Sequence, residues 1–220
     1  MGLKYGLHYT PRKLTEYNRV MAERLDIAQR IVEAAQEVYA WAKKDILWDF
    51  PVRQVCCKPM LSRRLISDAE AQWCRDTIQR MQSQIPEKGE STDEEYNKAY
   101  SRYMTIKNRN NRALERYAQQ ADEPQIEATV HVIRLGPIAF ASNQFELYQS
   151  FMHRIQARSP FVQTFVIQLA GDGMVSYLPT EQAVKNRGYS ASIFCNRVGP
   201  EGGQELVEAT LQTLNELYQT

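Results

Sequence analysis

The sequence predicts an α/β fold, with α+β as the alternative: a mixed sheet covered by helices, a long N-terminal helix and a projecting polar helical segment. Three observations carry this. Residues 14–46 hold one helical period throughout, and after Pro124 short β-branched runs alternate with helical patterns. Gly136–Pro137 also separates two such runs with turn chemistry. Strands interleaved with helices bury their faces as packed layers, which a bundle of helices would not require. Residues 1–220 are read as a single domain, with 85–120 as its projecting arm.

The elements follow in order. Over 14–46, Met21, Leu25, Ala28, Val32, Ala35, Tyr39 and Ala42 recur at alternating steps of four and three. Ile27, Ile31, Val38 and Trp41 form a second stripe beside them, so burial on a broad face is expected. Residues 50–61, FPVRQVCCKPML, break that period with two prolines and β-branched residues and read as a strand. A helix over 67–83 has Ser67 or Asp68 as its cap and Glu70 in the first turn. Residues 85–96 are an acidic loop, and a polar helix runs on to about Gln120 with Tyr96, Tyr100, Tyr103, Leu114 and Tyr117 at helical spacing. Lys107 and Asn110 interrupt that stripe, as expected of an outer helix or a projecting hairpin. ATVHVIRL and IAFAS form the strand pair, followed by a helix at about 145–157 and a strand over 161–169. After the loop AGDGMVSYLPT come a short helix at 181–187 and a last helix at about 203–218. That helix would turn Leu206, Val207, Leu211, Leu214, Leu217 and Tyr218 inward.

Bulk properties narrow the partners. A net charge of +1 on 220 residues gives no global field for nucleic acid, membranes or acidic proteins. No apolar run reaches the roughly 20 residues of a membrane span, and MGLKYGLHYTPRK lacks the apolar stretch of a secretory signal. The expected location is cytoplasmic. Cys56, Cys57, Cys74 and Cys195 show no CxxC spacing and read as reduced, packed thiols. Cys56 and Cys57, adjacent on a strand, should face opposite ways.

Candidate chemistry gathers in the C-terminal half. Glu146, in NQFELYQS, sits where a strand meets a helix. Tyr177 lies in the loop after strand 161–169, and Tyr189 follows it by twelve residues in the Gly-marked turn RGYSAS. One carboxylate and two phenols could meet at neighbouring strand ends, where open α/β sheets place ligands. The alternatives are ordinary: a carboxylate in the first turn of a helix, and loop tyrosines packed as amphipaths.

Residues 133–155, IRLGPIAFASNQFELYQSFMHRI, followed by YLPTEQAVKNRGYSAS, resemble the C-terminal half of the neutral/alkaline, non-lysosomal ceramidase catalytic domain. The likeness is greatest to short, uncharacterised bacterial relatives of those enzymes and covers about 126–220. In that family a glycine ten residues upstream precedes a Pro-Gly-Glu-Phe whose Glu binds zinc; here Gly136 precedes Glu146 by ten, with Leu147 at the Phe position. A Tyr-x-Thr-Thr segment carries a tyrosine ligand, which the resemblance places at Tyr177 in YLPT. Twelve residues further, the family's Tyr-Glu stabilises the reacting carbonyl oxygen, which implies that role for Tyr189. Zinc is the implied cofactor and amide hydrolysis the implied reaction.

The departures are specific. Gln144–Phe145 replaces the Pro-Gly, and Ser190 replaces the Glu after Tyr189. The family's two zinc-binding histidines and nucleophilic serine belong to an N-terminal half without a counterpart here, since residues 1–125 hold a single histidine, His8. The expectation is half of a zinc amidohydrolase site, inactive alone, completed by a missing N-terminal half or a second chain. The rival is a non-catalytic interaction module that kept the scaffold and lost the metal, with the 14–46 helix packing on a partner or in a homodimer.

Other motifs read more plainly. His153 lies two helical turns from Glu146, too far to share a metal, and His131 belongs to a strand. GPEGGQELVE lacks the Lys-Ser/Thr of a phosphate loop and reads as a helix start. Arg102, Arg109, Arg112 and Arg116 interleave with tyrosines as a single-strand nucleic-acid surface would, but Glu94, Glu95 and Glu115 dilute them. A solvated helix face, with no nucleic acid, is the reading taken.

Overall fold

The computed structural model describes residues 11–171 and 176–219, with side chains from residue 15. His8 and residues 172–175, within the stretch expected to be a loop, lie outside them. Contacts divide the chain, read from sequence as one domain, into two compact units, Met1–Phe50 and Pro51–Thr220.

The first unit contains one helix, α1 (Pro11–Ala42), which opens on a proline as helix starts tolerate. Burial of its apolar stripe was the expectation, and the structure differs: Leu25 is 68% exposed and Ile31 65%. Among the described residues of this unit there is no second helix or strand to pack on it. Its polar side is laced by i,i+4 pairs, including Arg30–Asp26 at 3.1 Å.

The second unit is a two-layer α/β body. Its main sheet has the order β1 (Val52–Cys57), β4 (Val130–Leu135), β5 (Ile138–Ser142), β7 (Gln163–Ile167). The first three strands are antiparallel, and β5 pairs β7 in parallel, so the sheet is mixed. Gly136, at φ 58°, makes the β4–β5 turn. The predicted strand over 50–61 is two strands. Pro59 ends the first, and β2 (Met60–Ser62) pairs instead with β3 (Gln125–Glu127).

One face of the sheet is covered by α4 (Gln149–Arg158) and α6 (Pro200–Gln219). Val130, Val132, Ala139 and Ala141 from the strands meet Phe151, Ile155, Leu206, Val207, Leu211 and Leu214 from the helices. Tyr218 departs from expectation: it stays 49% exposed, its ring edge-on to Phe161. Gly202 and Gly203 start α6 because nothing larger fits. A Cβ on Gly202 would stand 2.6 Å from Ser62 O, and one on Gly203 2.4 Å from the Phe151 ring. The opposite sheet face carries Ile133, Phe140 and Phe165 in one cross-strand row, with the two phenyl rings stacked at 4.9 Å. Strand alternation puts no Asp, Glu, Lys or Arg on that face among the described residues. Cys57 packs toward the core and Cys56 is exposed, so the pair does face opposite ways.

The segment read over 85–120 as the arm contains α3 (Asp93–Gln119), which packs against α2 (Asp68–Gln82), so the arm is a helical hairpin that also takes in α2. Both start on complete capping boxes, Ser67 with Glu70 and Thr92 with Glu95. The start of α2 meets the end of α3 through Tyr117 Oη, which donates to Asp68 at 2.6 Å, so the helices run antiparallel. Gln120 clasps Ile66 at its amide and carbonyl, at 2.8 and 3.0 Å. A second core of Ile66, Ala71, Cys74 and Ala113 packs there against Ile193. The Tyr/Arg face is less solvated than predicted: Tyr103 and Asn110 are buried, and Arg109 lies 4.7 Å over the Phe194 ring. No helix among the described residues is long and apolar enough to cross a membrane.

Candidate functional site

The site grows from the parallel pair β5–β7. Beyond Ser142 the chain stays tied to its neighbour: Asn143 N donates to Ile167 O at 2.8 Å, and Ala170 N to Asn143 O at 2.9 Å. Asn143 Oδ1 accepts from Phe145 N at 3.1 Å, and the Phe145 ring is buried. This anchored turn delivers Glu146 onto a short strand, β6 (Glu146–Leu147). Glu146 was expected at the junction of a strand with a helix over about 145–157. The helix begins later, at Gln149, and the intervening residues pair in parallel with β8 (Tyr177–Leu178).

That register brings the predicted residues together. Glu146 and Tyr177 are direct cross-strand partners, with Glu146 N donating to Ser176 O at 3.0 Å. The Glu146 carboxylate lies close enough to the Tyr177 phenol to raise its pKa. Tyr189 stands in a 3-10 turn at Tyr189–Ala191, after the short helix α5 (Glu181–Lys185), and its ring lies edge-on to Tyr177 with centroids 6.3 Å apart. Cys195, expected as a packed thiol, joins them: it raises the Tyr189 phenol, and its carbonyl accepts from Tyr177 N at 3.0 Å. The cluster therefore runs Glu146, Tyr177, Tyr189, Cys195.

Asn196 holds the loop that carries Tyr189. It is fully buried, and its Nδ2 donates to Ser190 O at 2.6 Å and Tyr177 O at 3.1 Å. Ser190, which stands where the resembled family has Glu, pairs its hydroxyl with Tyr148 Oη at 2.6 Å. Neither Asn196 nor Tyr148 carries a sequence signal, because each acts through contacts formed only on folding.

The electrostatics separate the two phenols. The hydrogen bond to Glu146, and then its charge, push Tyr177 above the ordinary phenol range. Tyr189 is raised mainly by its hydrogen bond to Cys195, and the Glu146 charge adds to this. Both stay protonated donors at neutral pH. For Tyr189, 79% exposed, this suits donation to a developing oxyanion. For Tyr177 it opposes metal binding, which needs the phenolate.

The donors of this chain alone do not make a zinc centre. Among the described residues there is no group of three His, Cys, Asp or Glu able to hold a metal ion. Catalytic zinc takes about three protein ligands and an open position, and the cluster offers one carboxylate, Glu146, beside two phenols held above their ordinary range. His153 is exposed on α4, and His131 Nδ1 pairs with Gln54 Nε2 at 3.2 Å on β1. Comparison with protein-family models, with curated proteins and with solved structures finds no match for this chain.

Proposed function

We propose that this chain carries half of a zinc-dependent amide hydrolase site of the neutral-ceramidase type. Glu146 and Tyr177 are its contribution to the metal, and Tyr189 is the donor to the reacting carbonyl oxygen. The imidazole ligands and the nucleophile come from another segment or chain, and without them the chain hydrolyses no amide. What supports the reading is one arrangement: a carboxylate and two phenols, far apart in sequence, held side by side beyond the carboxyl ends of parallel strands. Zinc, once bound by a full ligand set, would polarise the amide carbonyl or water. The chain's own residues present oxygen donors on a rigid strand pair and aim an O–H from the adjoining turn.

The test uses protein purified from its natural source without chelator, so that a completing chain stays bound. Stoichiometric zinc and N-acyl amide hydrolysis are expected, both lost in Glu146→Ala. Tyr189→Phe should keep the zinc while lowering kcat by about 10²–10³, the usual cost of one oxyanion donor. Zinc-free, dimeric material without hydrolysis would sink this reading.

That outcome would favour a second reading, a non-catalytic module that binds a partner or another copy of itself. The observation behind it is the uncharged outer sheet face around Phe140 and Phe165, together with the exposed stripe of α1.

A further inference from the structure

We propose that α1 is a self-association surface, which pairs antiparallel with the α1 of a second copy along Leu25, Ala28, Val32, Ala35, Tyr39 and Ala42. These six recur in alternating steps of three and four, the seven-residue repeat of a coiled-coil seam. The helix is unbroken from Pro11 to Ala42, so the repeat follows one face. All six are exposed, Leu25, Val32 and Tyr39 by more than half. A helix takes most of its stability from packing its apolar face, and a second helix with the same repeat is the natural cover for a seam of this kind.

Side-chain size along the seam sets the direction. Writing the repeat as abcdefg, Leu25, Val32 and Tyr39 hold the a positions, and Ala28, Ala35 and Ala42 hold d. Parallel copies would face a with a and d with d, so layers of two bulky groups would alternate with layers of two methyls. Antiparallel copies face a with d. Centred between Val32 and Ala35, that register sets Leu25 against Ala42 of the other copy, Ala28 against Tyr39 and Val32 against Ala35. Each layer then holds one bulky and one small side chain, which fills the seam evenly. The flanks give the same direction independently. Ile31 and Val38 border the seam on one side, Gln29 and Gln36 on the other. Antiparallel pairing sets Ile31 against Val38 and Gln29 against Gln36, whereas parallel pairing would set Ile31 against Gln36.

Charge agrees. Over residues 25–42 neither the seam nor its flanks carries a charged residue, so two copies meet without repulsion. The charged residues from Arg19 to Glu37 that lie opposite the seam are engaged with one another, as in Arg19–Glu23 at 3.9 Å and Arg30–Asp26 at 3.1 Å, and Glu33 accepts from Gln29 at 2.9 Å. That polar side holds Glu23, Asp26, Glu33 and Glu37 against Arg19 and Arg30, the wrong balance for an anionic membrane surface, which amphipathic helices meet with Lys and Arg. The pairing gives a definite form to the self-association named in the second reading above. It needs neither zinc nor a completing chain, so a monomer leaves the amide-hydrolase reading standing, and zinc-free protein leaves the pairing standing.

The experiment is sedimentation equilibrium on the full chain, with disulfide trapping to read direction. A dimer is expected for the wild type and for Glu37→Gln, which lies opposite the seam. Val32→Asp puts two unpaired carboxylates at the centre of the seam and should weaken association about a hundredfold or more. Trapping keeps the test decisive if that variant simply unwinds α1. Oxidation of a mixture of Leu25→Cys and Ala42→Cys proteins should link position 25 of one copy to position 42 of the other. Mass spectrometry after proteolysis maps the link, with oxidised wild type as the blank for the chain's own four cysteines. Leu25→Cys alone should give no 25-to-25 link, because antiparallel copies hold those positions about 26 Å apart. A monomeric wild type, a dimer that Val32→Asp keeps, or a 25-to-25 link overturns the proposal.

Discussion

Asn196 supplies a test at the scale of one residue. Its amide spans the carbonyls of Ser190 and Tyr177, joining the turn that carries Tyr189 to the strand that carries its neighbour. Asn196→Ala removes both contacts from a fully buried site, so a loss of roughly 1–3 kcal/mol is expected in chemical denaturation. The amide of Tyr177, which donates to Cys195 O, should exchange faster with deuterium in the same variant. An unchanged midpoint and unchanged exchange would show that the loop holds itself without this clamp. The phenols carry a related expectation. Glu146 and Cys195 hold Tyr177 and Tyr189 above the ordinary phenol range, so ultraviolet titration should find both ionising later than exposed tyrosines, and Glu146→Gln should shift Tyr177 back down.

Among the elements, the start of α6 is the most constrained. Gly202 faces the backbone of β2, where a Cβ would meet Ser62 O at 2.6 Å, and backbone has nowhere to move. Gly202→Ala should therefore destabilise the body by about 1–3 kcal/mol despite alanine's better helix propensity. Gly188 offers the contrast. Its Cβ would meet nothing within 4 Å and its φ of −63° is ordinary, so Gly188→Ala should stay within about 0.5 kcal/mol of wild type. Urea midpoints on both variants check the pair. The same glycines explain why GPEGGQELVE looks like a phosphate loop. Close packing and anion binding both ask for residues without side chains, and only the neighbours tell them apart.

The whole body rests on one main core and a smaller one at the base of the arm. Leu214 is fully buried in the main core, and Leu214→Ala should cost about 2–5 kcal/mol, the range for emptying a packed leucine site. Circular dichroism melts would read this as a lower Tm. Tryptophan fluorescence of Trp73, half-exposed beside Phe194 at the edge of the smaller core, tests whether the arm unfolds with the sheet. Coincident transitions are expected, because Gln120 ties the arm to the segment between β2 and α2 and Arg116 ties it to the loop at Ile193.

Periodic elements were legible in the sequence as elements, though not always in what their apolar face meets, as the exposed stripe of α1 shows. The capped α2, the β4–β5 turn at Gly136 and the inner face of α6 through Leu217 all stand where spacing and turn chemistry put them. The structure also sets Glu146 in register with Tyr177 and the Tyr189 ring edge-on to Tyr177. Their assembly was beyond local pattern. β6 and β8 are too short to have a period, and their register is set by hydrogen bonds to partners such as Ser176 that are distant along the chain. Likewise, a run of arginines on α3 reads as solvated until Ile193 and Arg197 arrive from far along the chain. Local sequence determines which face of a segment is apolar and where the segment stops, because those depend on neighbours a turn away. What meets that face, and which side chains share a site, depends on the free energy of contacts between distant segments, and only the folded structure decides it.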